Sequence, residues 1–322
     1  MRRVAFLALV FPFVLTAQAP SPVSSPSVAT LIDQRKLDEA RPLVQAMLAK
    51  DKNDANAMFL MGRIFEAEGK SGDAVDWYEK AVKRDDTNAR YHLSLGNALG
   101  TEAQNASKFR QPFLARRVKS EFERAVALDP KMIDAREGLV GFYSQAPGFM
   151  GGDMDKAKAQ AVEIGKMDKL RGHLQMGRLL LRTKDSTGAE KEYKAIITDY
   201  PDSSAGYFQM GAYYRNTGRY DESFAMYEHV LKNHPNEIAA HLTWAGTAAV
   251  SGKNLERGER EAKYYIANAK DPGNINLSNA HWRLGMIYEK GGKKDLARAE
   301  YSEALKLWPQ SQNAKKSLDA LK

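Results

Sequence analysis

The amino-acid sequence predicts an all-α fold, a solenoid of about eight helical hairpins closed by a C-terminal capping helix. Three observations support this class: a 34-residue repeat, apolar residues at helical spacing in two segments of each repeat, and a turn between the segments. Identical residues recur 34 positions apart at Ala40 and Ala74, Gly62 and Gly96, Gly177 and Gly211, Tyr193 and Tyr227, and Pro201 and Pro235. A lone hairpin of this length cannot bury its apolar face, so neighbouring hairpins must stack.

The repeat is most regular in residues 207–235, where each special position has a physical task. Gly211, early in the first helix, lets a second helix approach closely, and Tyr227 in the second helix fills the gap between repeats. Gly218 supplies the turn between the two helices. Pro235 ends the second helix because proline cannot donate the backbone hydrogen bond to residue i−4.

These positions resemble the tetratricopeptide (TPR) repeat family, whose pattern is a large residue, Leu, Gly and Tyr, followed by Ala, Phe, Ala and Pro. The pattern is met at Tyr207, Met210, Gly211, Tyr214, Ser223, Tyr227, Val230 and Pro235. It recurs in the units that begin at Met58, His173 and His281. The resemblance implies a right-handed superhelix whose first helices line a concave groove for a protein or peptide partner.

Two units carry insertions, near residues 100–118 and 146–156. The first insertion is basic, with Lys108, Arg110, Arg116, Arg117 and Lys119. It is interpreted as a solvated extension of a helix, with a docking patch as the alternative. The second insertion, APGFMGGDMD, contains an X-Pro pair and glycines, which predicts an ordered bulge. An interaction loop is the alternative there.

Other units depart from the pattern without insertions. The unit at 241–267 keeps only Ala245 and Gly258 as small contacts, and the first unit, which ends near Lys52, lacks a full first helix. With these units included, the count reaches about eight hairpins. Residues 312–322 are predicted to form the capping helix.

The N-terminus has the pattern of a signal peptide over residues 1–19. Arg2 and Arg3 precede an apolar run over residues 4–15, and small residues follow the run. The run is about 12 residues long, shorter than the roughly 18 to 20 that span a bilayer, so a permanent anchor is the weaker interpretation. We therefore expect an exported protein, periplasmic or secreted, with no stable membrane anchor after cleavage.

Cleavage after Ala17 and cleavage after Ala19 both fit the pattern of small residues. Residues 20–26, rich in Pro and Ser, are expected to form a flexible linker into a solenoid over residues 27–322. Three segments, RRVKSEFERAVALDP, SQAPGFMGGDMDKAKAQA and RLGMIYEKGGKKDLARAEYSEALKLWP, also resemble exported bacterial TPR proteins of unassigned activity. That resemblance spans most of residues 90–322 and implies location and fold, with no catalytic residues.

Composition limits the chemistry that the chain can perform. There is no cysteine, which excludes disulfides, thiolate metal sites and a cysteine nucleophile. The formal net charge of +8 favours acidic partners in general, whether peptides, nucleic acid or anionic lipid. The oligomeric state is left open.

The histidines do not predict a metal site. Four of them occupy the same repeat position, the large packing residue of the first helix: His92, His173, His241 and His281. Residues one or more repeats apart do not converge on a single ion, so these are expected to be separate packing sites. His229 and His234 are five residues apart, a spacing that a helix does not align. No metal and no cofactor is expected.

No catalytic motif of the hydrolase, metalloprotease or phosphate-loop type is present. The Gly-Gly-Lys-Lys segment at 291–294 is expected in a turn between two helices. Asp153 and Asp155 are the most suggestive acidic pair, yet Asp153 fits the N-cap of a helix better than metal or acid–base chemistry. The chain is therefore interpreted as a non-enzyme, with an active site in the second insertion or the basic insertion as the alternative.

The resemblance also implies which residues face a partner. Residues two, five, nine, twelve and thirteen of a TPR unit usually point into the groove. These are Phe59, Arg63, Arg90, Leu93, Asn97, Arg171, Leu174, Arg178, Arg182, Phe208, Arg215, Asn216 and Trp282.

Four arginines of this set form a cluster from two adjacent units: Arg171, Arg178, Arg182 and Arg215. They favour an acidic partner or a free C-terminal carboxylate, because a guanidinium holds a carboxylate with two hydrogen bonds.

Two aromatic residues of the groove set have alternative roles. Phe208 and Trp282 are either apolar anchors for the partner or padding between repeats. The carboxylate-clamp version of the family is not matched, because Leu93 stands four residues before Asn97 where that version has lysine. Nucleic-acid binding through the basic surface is a further alternative, but export argues against it.

Overall fold

The computed structural model describes residues 27–270 and 273–321. In these residues there are seventeen α-helices, one short 3-10 turn and no strand, which confirms the predicted all-α class. None of these helices is both long and apolar enough to cross a membrane. The predicted signal peptide, 1–19, and linker, 20–26, lie outside the described residues. The chain forms two compact units that divide after Asp85.

The N-terminal unit contains the first two hairpins. Its helices are α1 (Val28–Asp33), α2 (Leu37–Lys50), α3 (Ala55–Ala67) and α4 (Ser71–Arg84). The apolar faces of the first three helices meet in a core that includes Ile32, Val44 and Ile64. Helix α1 has six residues, so the predicted incomplete first helix is confirmed.

The C-terminal unit contains six hairpins and the capping helix. Its helices are α5 (Ala89–Asn105), α6 (Gln111–Leu128), α7 (Ile133–Gln145), α8 (Met154–Met167), α9 (Lys169–Arg182), α10 (Ser186–Asp199), α11 (Ser204–Asn216), α12 (Tyr220–Asn233), α13 (Ala239–Ser251), α14 (Leu255–Asn268), α15 (Gly273–Lys290), α16 (Lys294–Leu307) and α17 (Gln312–Ala320). Each second helix packs against the first helix of the following hairpin, and several first helices also pack on one another, as α13 does on α15.

Close contact between a glycine and a tyrosine recurs within the hairpins. A Cβ atom placed on Gly211 would lie 2.6 Å from the ring of Tyr227, and one on Gly285 would lie 2.5 Å from Tyr301. Both tyrosines have an exposed fraction of 0%. The glycine therefore makes room for the aromatic ring that fills the hairpin, as the repeat pattern predicts.

The ends of the helices follow their local sequence. Gly218 and Gly292 adopt positive φ angles of 76° and 75° in the turns after α11 and α15, which confirms the predicted turns. Helix α12 ends at Asn233, two residues before Pro235. Asp153 caps α8 by accepting hydrogen bonds from the backbone N–H groups of Asp155 at 3.0 Å and Lys156 at 3.1 Å, as predicted.

Both insertions are ordered. The basic insertion lengthens α5 to 17 residues and α6 to 18, and Arg116, Arg117 and Lys119 lie in α6 as the extended-helix interpretation predicts. Lys108 and Arg110 lie in the loop between the two helices, and a docking patch there stays a prediction. The second insertion forms the 3-10 turn Gly148–Met150, followed by Gly151 with a φ of 98°. The backbone N–H of Asp153 donates to the Tyr143 carbonyl at 2.8 Å and holds this bulge against α7.

Candidate binding groove

The two groove residues predicted in the N-terminal unit are committed to internal contacts. Phe59 is 5% exposed and packs its ring 5.6 Å from that of Tyr78, so it belongs to the core of the α3/α4 hairpin. Arg63 forms an ion pair with Asp33 of α1. Neither side chain is presented freely to a partner, and the N-terminal unit contributes little to a groove of the predicted kind.

Arg171 also forms internal ion pairs, so it does not belong to the set of arginines available to a partner. From α9 its guanidinium binds two carboxylates of α7, with Nε donating to Glu137 Oε1 at 3.0 Å and Nη2 donating to Asp134 Oδ1 at 2.5 Å. The Glu137 carboxylate, together with Asp134, raises the pKa of Arg171 above its ordinary value. The charge of Arg171 is therefore neutralised inside the protein by residues that lie a full repeat earlier in the sequence.

Arg178 and Arg182 remain exposed on α9. Both line a cavity of about 280 Å³ between α7 and α9, together with Gly141 and Gln145. Neither arginine has an acidic partner within 4.0 Å among the described residues. This cavity between two successive first helices is the kind of recess that the groove prediction requires.

The other polar candidates are spread along the same set of first helices. Arg90 and Asn97 on α5 and Asn216 at the end of α11 are exposed. Asn97 lines a second cavity of about 480 Å³ that α5, α6, α7 and the bulge enclose, with Phe122 among its lining residues. The groove face thus offers two recesses in the region of α5 to α9.

The apolar candidates differ in their availability. Leu174 and Phe208 are half-buried and pack against core clusters, and the Phe208 ring lies 6.1 Å from that of Tyr227. Leu93 is half-buried as well. Trp282 packs in the C-terminal core, and its Nε1–H donates to Ser317 Oγ of the capping helix at 3.1 Å. The structure therefore places Trp282 as a contact for the cap, whereas part of Phe208 remains accessible.

Sequence reasoning missed one groove residue, Arg283 of α15. It is half-buried, with Nη1 donating to the Leu242 carbonyl at 2.8 Å and Nε donating to Asn279 Oδ1 at 3.3 Å. Gly246 on α13 leaves the space that the guanidinium occupies, since a Cβ atom there would clash with Nη1. Burial, together with the positive charge of Arg215, lowers the pKa of Arg283 to about 10.

The electrostatic result is a groove face with unbalanced positive charge. In the described residues no carboxylate lies within ion-pair distance of the following four side chains: Arg178, Arg182, Arg215 and Arg283. Of the predicted arginine cluster, Arg171 is neutralised internally, Arg178, Arg182 and Arg215 have no acidic partner in the described residues, and Arg283 is a further arginine of this kind; a shared binding role stays a prediction. The sequence signal that could have indicated Arg283 is Gly246, because a glycine at a groove-facing position leaves space for a long side chain from a neighbouring helix.

The repeated histidines have a role that the sequence did not reveal. Each binds a glutamate of the second helix of its own hairpin through Nδ1. The pairs are His92 with Glu121 at 2.6 Å, His173 with Glu192 at 2.6 Å, His241 with Glu261 at 2.5 Å, and His281 with Glu300 at 2.7 Å. They are separate packing sites, as predicted. Over the described ranges, no group of three or more His, Asp or Glu residues is placed to hold a metal ion.

The geometry gives little support to a catalytic site at the acidic pair of the second insertion or in a cavity near α14. The Asp153 carboxylate is occupied by its two backbone N–H donors, while Asp155 is exposed. A cavity of about 600 Å³ lies at the turns next to α14 and is lined by groups such as Glu259, which already binds Lys263, Lys293 and Tyr288. Neither place combines a nucleophile or base with an unoccupied partner.

Comparison with protein families identifies tetratricopeptide repeats in this chain. One family model, described as tetratricopeptide repeat, matches residues 30–89 and 174–238, and a second with the same description matches residues 279–311. A search of curated proteins found no match.

Solved structures share the fold at low sequence identity. A tetratricopeptide repeat protein from Parabacteroides merdae aligns with a TM-score of 0.58 and 15% identity, over 83% of this chain and 98% of that one. IFIT1 bound to Gppp-AAAA aligns with a TM-score of 0.57 and 15% identity, over 91% and 70%. The APC/C assembly of Cut9 and Hcn1 aligns with a TM-score of 0.53 and 13% identity, over 91% and 54%. At these identities the likeness concerns the fold alone.

Proposed function

Because the chain is a tetratricopeptide repeat protein, we propose that it is a non-catalytic scaffold or assembly factor that binds an acidic segment of a protein partner. The observation that carries this proposal is a set of four arginines on the first helices of the C-terminal unit that have no acidic partner in the described part of the chain: Arg178, Arg182, Arg215 and Arg283. Burial makes the charge of Arg283 costly while it lacks a carboxylate, and an acidic partner would relieve that cost. The exposed guanidinium groups of Arg178 and Arg182 would attract the same partner electrostatically.

The free energy of exposed ion pairs is too small to explain partner binding without apolar contacts. An exposed ion pair contributes about 0 to 1 kcal/mol, whereas micromolar binding needs roughly 8 kcal/mol. The accessible part of Phe208 and the cavity above Phe122 supply apolar surface on the same face. The partner is therefore proposed to be an acidic segment that also carries apolar side chains, held along α5 to α15.

The proposed compartment is the periplasm or the extracellular space, on the basis of the N-terminal signal pattern over residues 1–19. Expression of the full chain in a Gram-negative host, fractionation and mass measurement of the N-terminus test this location. We expect a periplasmic or secreted product that begins after Ala17 or Ala19. A cytoplasmic product that keeps Met1 would overturn the location and leave the groove proposal standing.

A pull-down with two matched variants tests the groove. The groove variant changes Arg178, Arg182 and Arg215 to Ala, and the control variant changes three exposed cations of second helices, Lys191, Lys232 and Arg260, to Ala. Both remove three positive charges, so they separate the groove from general electrostatics. Circular dichroism first establishes that both variants are folded.

We expect the wild type and the control to capture the same exported proteins and the groove variant to lose them, with affinity at least about tenfold weaker. Retention of the partners by the groove variant would contradict the proposal and direct attention to the two insertions. Binding to single-stranded oligonucleotides that falls steeply with salt and equally in both variants would favour the nucleic-acid alternative.

A further inference from the structure

Two hairpins of this chain contain an internal carboxylate at a matching place. The hydroxyl of Tyr78 donates to Glu66 Oε2 at 2.6 Å in the α3/α4 hairpin. The hydroxyl of Tyr301 donates to Glu289 Oε2 at 2.6 Å in the α15/α16 hairpin. In each case the glutamate stands 12 residues before the tyrosine, in the last turn of the first helix. A glutamate therefore satisfies the buried phenol that packs on the glycine of the hairpin.

Two other hairpins have the tyrosine without the glutamate: Leu181 stands 12 residues before Tyr193 in α9/α10, and the α11/α12 hairpin differs from it by carrying a cation at that place. The residue 12 positions before Tyr227 is Arg215. The Tyr227 hydroxyl is buried and has no hydrogen-bond partner among the described residues. The nearby Ser223 hydroxyl is engaged elsewhere, donating to the Gly211 carbonyl at 2.8 Å and lying 3.1 Å from Thr247 Oγ1. A buried hydroxyl without a partner costs free energy, so this position lacks an acceptor.

The same place gathers two positive charges. The charge of Arg215 lowers the pKa of Arg283, and both guanidinium groups act on the Tyr227 phenol. Burial raises the pKa of Tyr227, and the two guanidinium charges oppose that rise. The guanidinium of Arg283 is positioned by Leu242 and Asn279, which leaves its Nη2 without an acceptor. One donor hydroxyl and two cations thus act on one another here, and no carboxylate of the described residues lies within ion-pair distance of either guanidinium.

We propose that Tyr227, Arg215 and Arg283 form a subsite for a single carboxylate of the partner. The ligand carboxylate takes the place that Glu66 and Glu289 occupy in the other two hairpins, accepts the Tyr227 hydrogen bond and pairs with both guanidinium groups. Arg215 is half-exposed, so its side chain can shift to admit the ligand without unpacking the core. This inference rests on the proposed groove function and names the residues that bind one carboxylate of the acidic partner.

The class of ligand follows from Glu66 and Glu289, the side chains that bind the equivalent tyrosines in two other hairpins. Both occupied hairpins hold a carboxylate against the tyrosine hydroxyl, and the planar fork of a guanidinium matches a carboxylate with two hydrogen bonds. The carboxylate can come from an Asp or Glu side chain or from a chain terminus. Two peptide probes distinguish these sources: an oligoglutamate blocked at both ends, and an N-acetylated oligoglutamine with a free C-terminal carboxylate.

Calorimetric titration of the full chain with each probe measures the affinity of the subsite for that probe. The variants are Arg283→Gln and Tyr227→Phe, and the control is Arg260→Gln, an exposed arginine of α14. We expect Arg283→Gln to weaken binding of one probe by at least about tenfold and Tyr227→Phe to weaken it several-fold, because each removes a hydrogen bond to a charged group. Arg260→Gln should leave the affinity within twofold of the wild type.

A second variant tests the inference even where removal of Arg283 impairs folding. Arg215→Glu recreates the spacing of Glu66 and Tyr78, so the new carboxylate should bind Tyr227 and Arg283 from within. We expect a higher Tm than in the wild type and loss of the probe, since the site is then filled. A lower Tm with unchanged probe binding would overturn the inference.

The outcomes separate this inference from the proposed function. Failure of both probes to bind the wild type, or equal weakening by Arg283→Gln and Arg260→Gln, contradicts the subsite, while loss of partners from the groove variant would still support the scaffold. The groove variant also lacks Arg215 of the subsite, so retention of partners by that variant contradicts both the wider groove and the role of the subsite in partner binding.

Discussion

The ring of Tyr301 lies so close to Gly285 that a Cβ atom on the glycine would stand 2.5 Å from it. Real Cβ atoms do not approach other heavy atoms so closely, and Tyr301 has no exposed surface into which it could retreat. The contact joins α15 to α16, and its equivalents recur at Gly211 with Tyr227 and elsewhere in the chain. It explains in physical terms why this repeat position is glycine.

The first prediction concerns that contact. Gly285→Ala should lower the free energy of unfolding by about 1 to 3 kcal/mol, because the added methyl group overpacks the hairpin. The matched control is Gly100→Ala in α5, where a Cβ atom meets nothing within 4 Å. That change should stabilise the chain by about 0.5 to 1 kcal/mol, since alanine favours a helix interior. Urea unfolding of both variants checks the pair, and equal effects would contradict the packing explanation.

The second prediction separates structural from partner-binding arginines. Arg171→Ala should destabilise the protein by about 1 kcal/mol, because it leaves Asp134 and Glu137 of α7 without their cation. Partner affinity should stay within about twofold of the wild type. Arg178→Ala should show the opposite pattern, with unchanged stability and weaker binding. Thermal unfolding and titration of the two variants side by side test this, and a large loss of affinity in Arg171→Ala would be evidence against the internal role.

The third prediction concerns the acidic pair of the second insertion. Asp153→Ala should cost about 1 kcal/mol of stability, because two backbone N–H groups at the start of α8 lose their acceptor. Asp155→Ala should cost less, since its side chain is exposed. Denaturant unfolding measures both values. If instead the double variant loses an enzymatic activity that the wild type displays, while its stability is unchanged, the enzyme alternative gains the support it now lacks.

The fourth prediction is a dependence of stability on pH through His229. Burial lowers the pKa of His229, and the charges of His234 and Lys232 lower it further. Above the ordinary histidine pKa of about 6.5, folded and unfolded chains both keep His229 neutral and the residue has no effect. As the pH falls below that value, the unfolded chain takes up a proton that the folded chain resists, so the free energy of unfolding decreases.

The measurement is the difference in unfolding free energy between the wild type and His229→Gln at a series of pH values. The two curves should run parallel above about pH 7.5 and diverge below about pH 6.5, with the wild type losing more stability. His173→Gln serves as the control, because His173 binds Glu192 at 2.6 Å. Parallel curves over the whole range for His229→Gln would show that its environment does not resist protonation.

Much of the fold is determined by features that are local in sequence or repeat with the 34-residue period. The hairpins, the turn glycines at 218 and 292, the N-cap at Asp153 and the capping helix all follow from residues within one repeat. Glycine at positive φ, a carboxylate at a helix start and apolar residues at helical spacing act over a few residues. For that reason the pattern alone determines where the helices begin, end and pair.

The composition of the candidate site depends on contacts that only the tertiary structure decides. Arg171 lies 34 residues after Glu137, and the stacking of α7 on α9 brings the two side chains together. Arg283 and Arg215 are 68 residues apart in sequence, yet the missing side chain at Gly246 lets their charges act on one phenol.

Long side chains reach across repeats, so their partners depend on which helices stack and on the space a neighbour leaves. The sequence thus determined the stack of hairpins and its basic character. Which arginines are neutralised within the protein and which remain for a partner was decided by the packing between repeats.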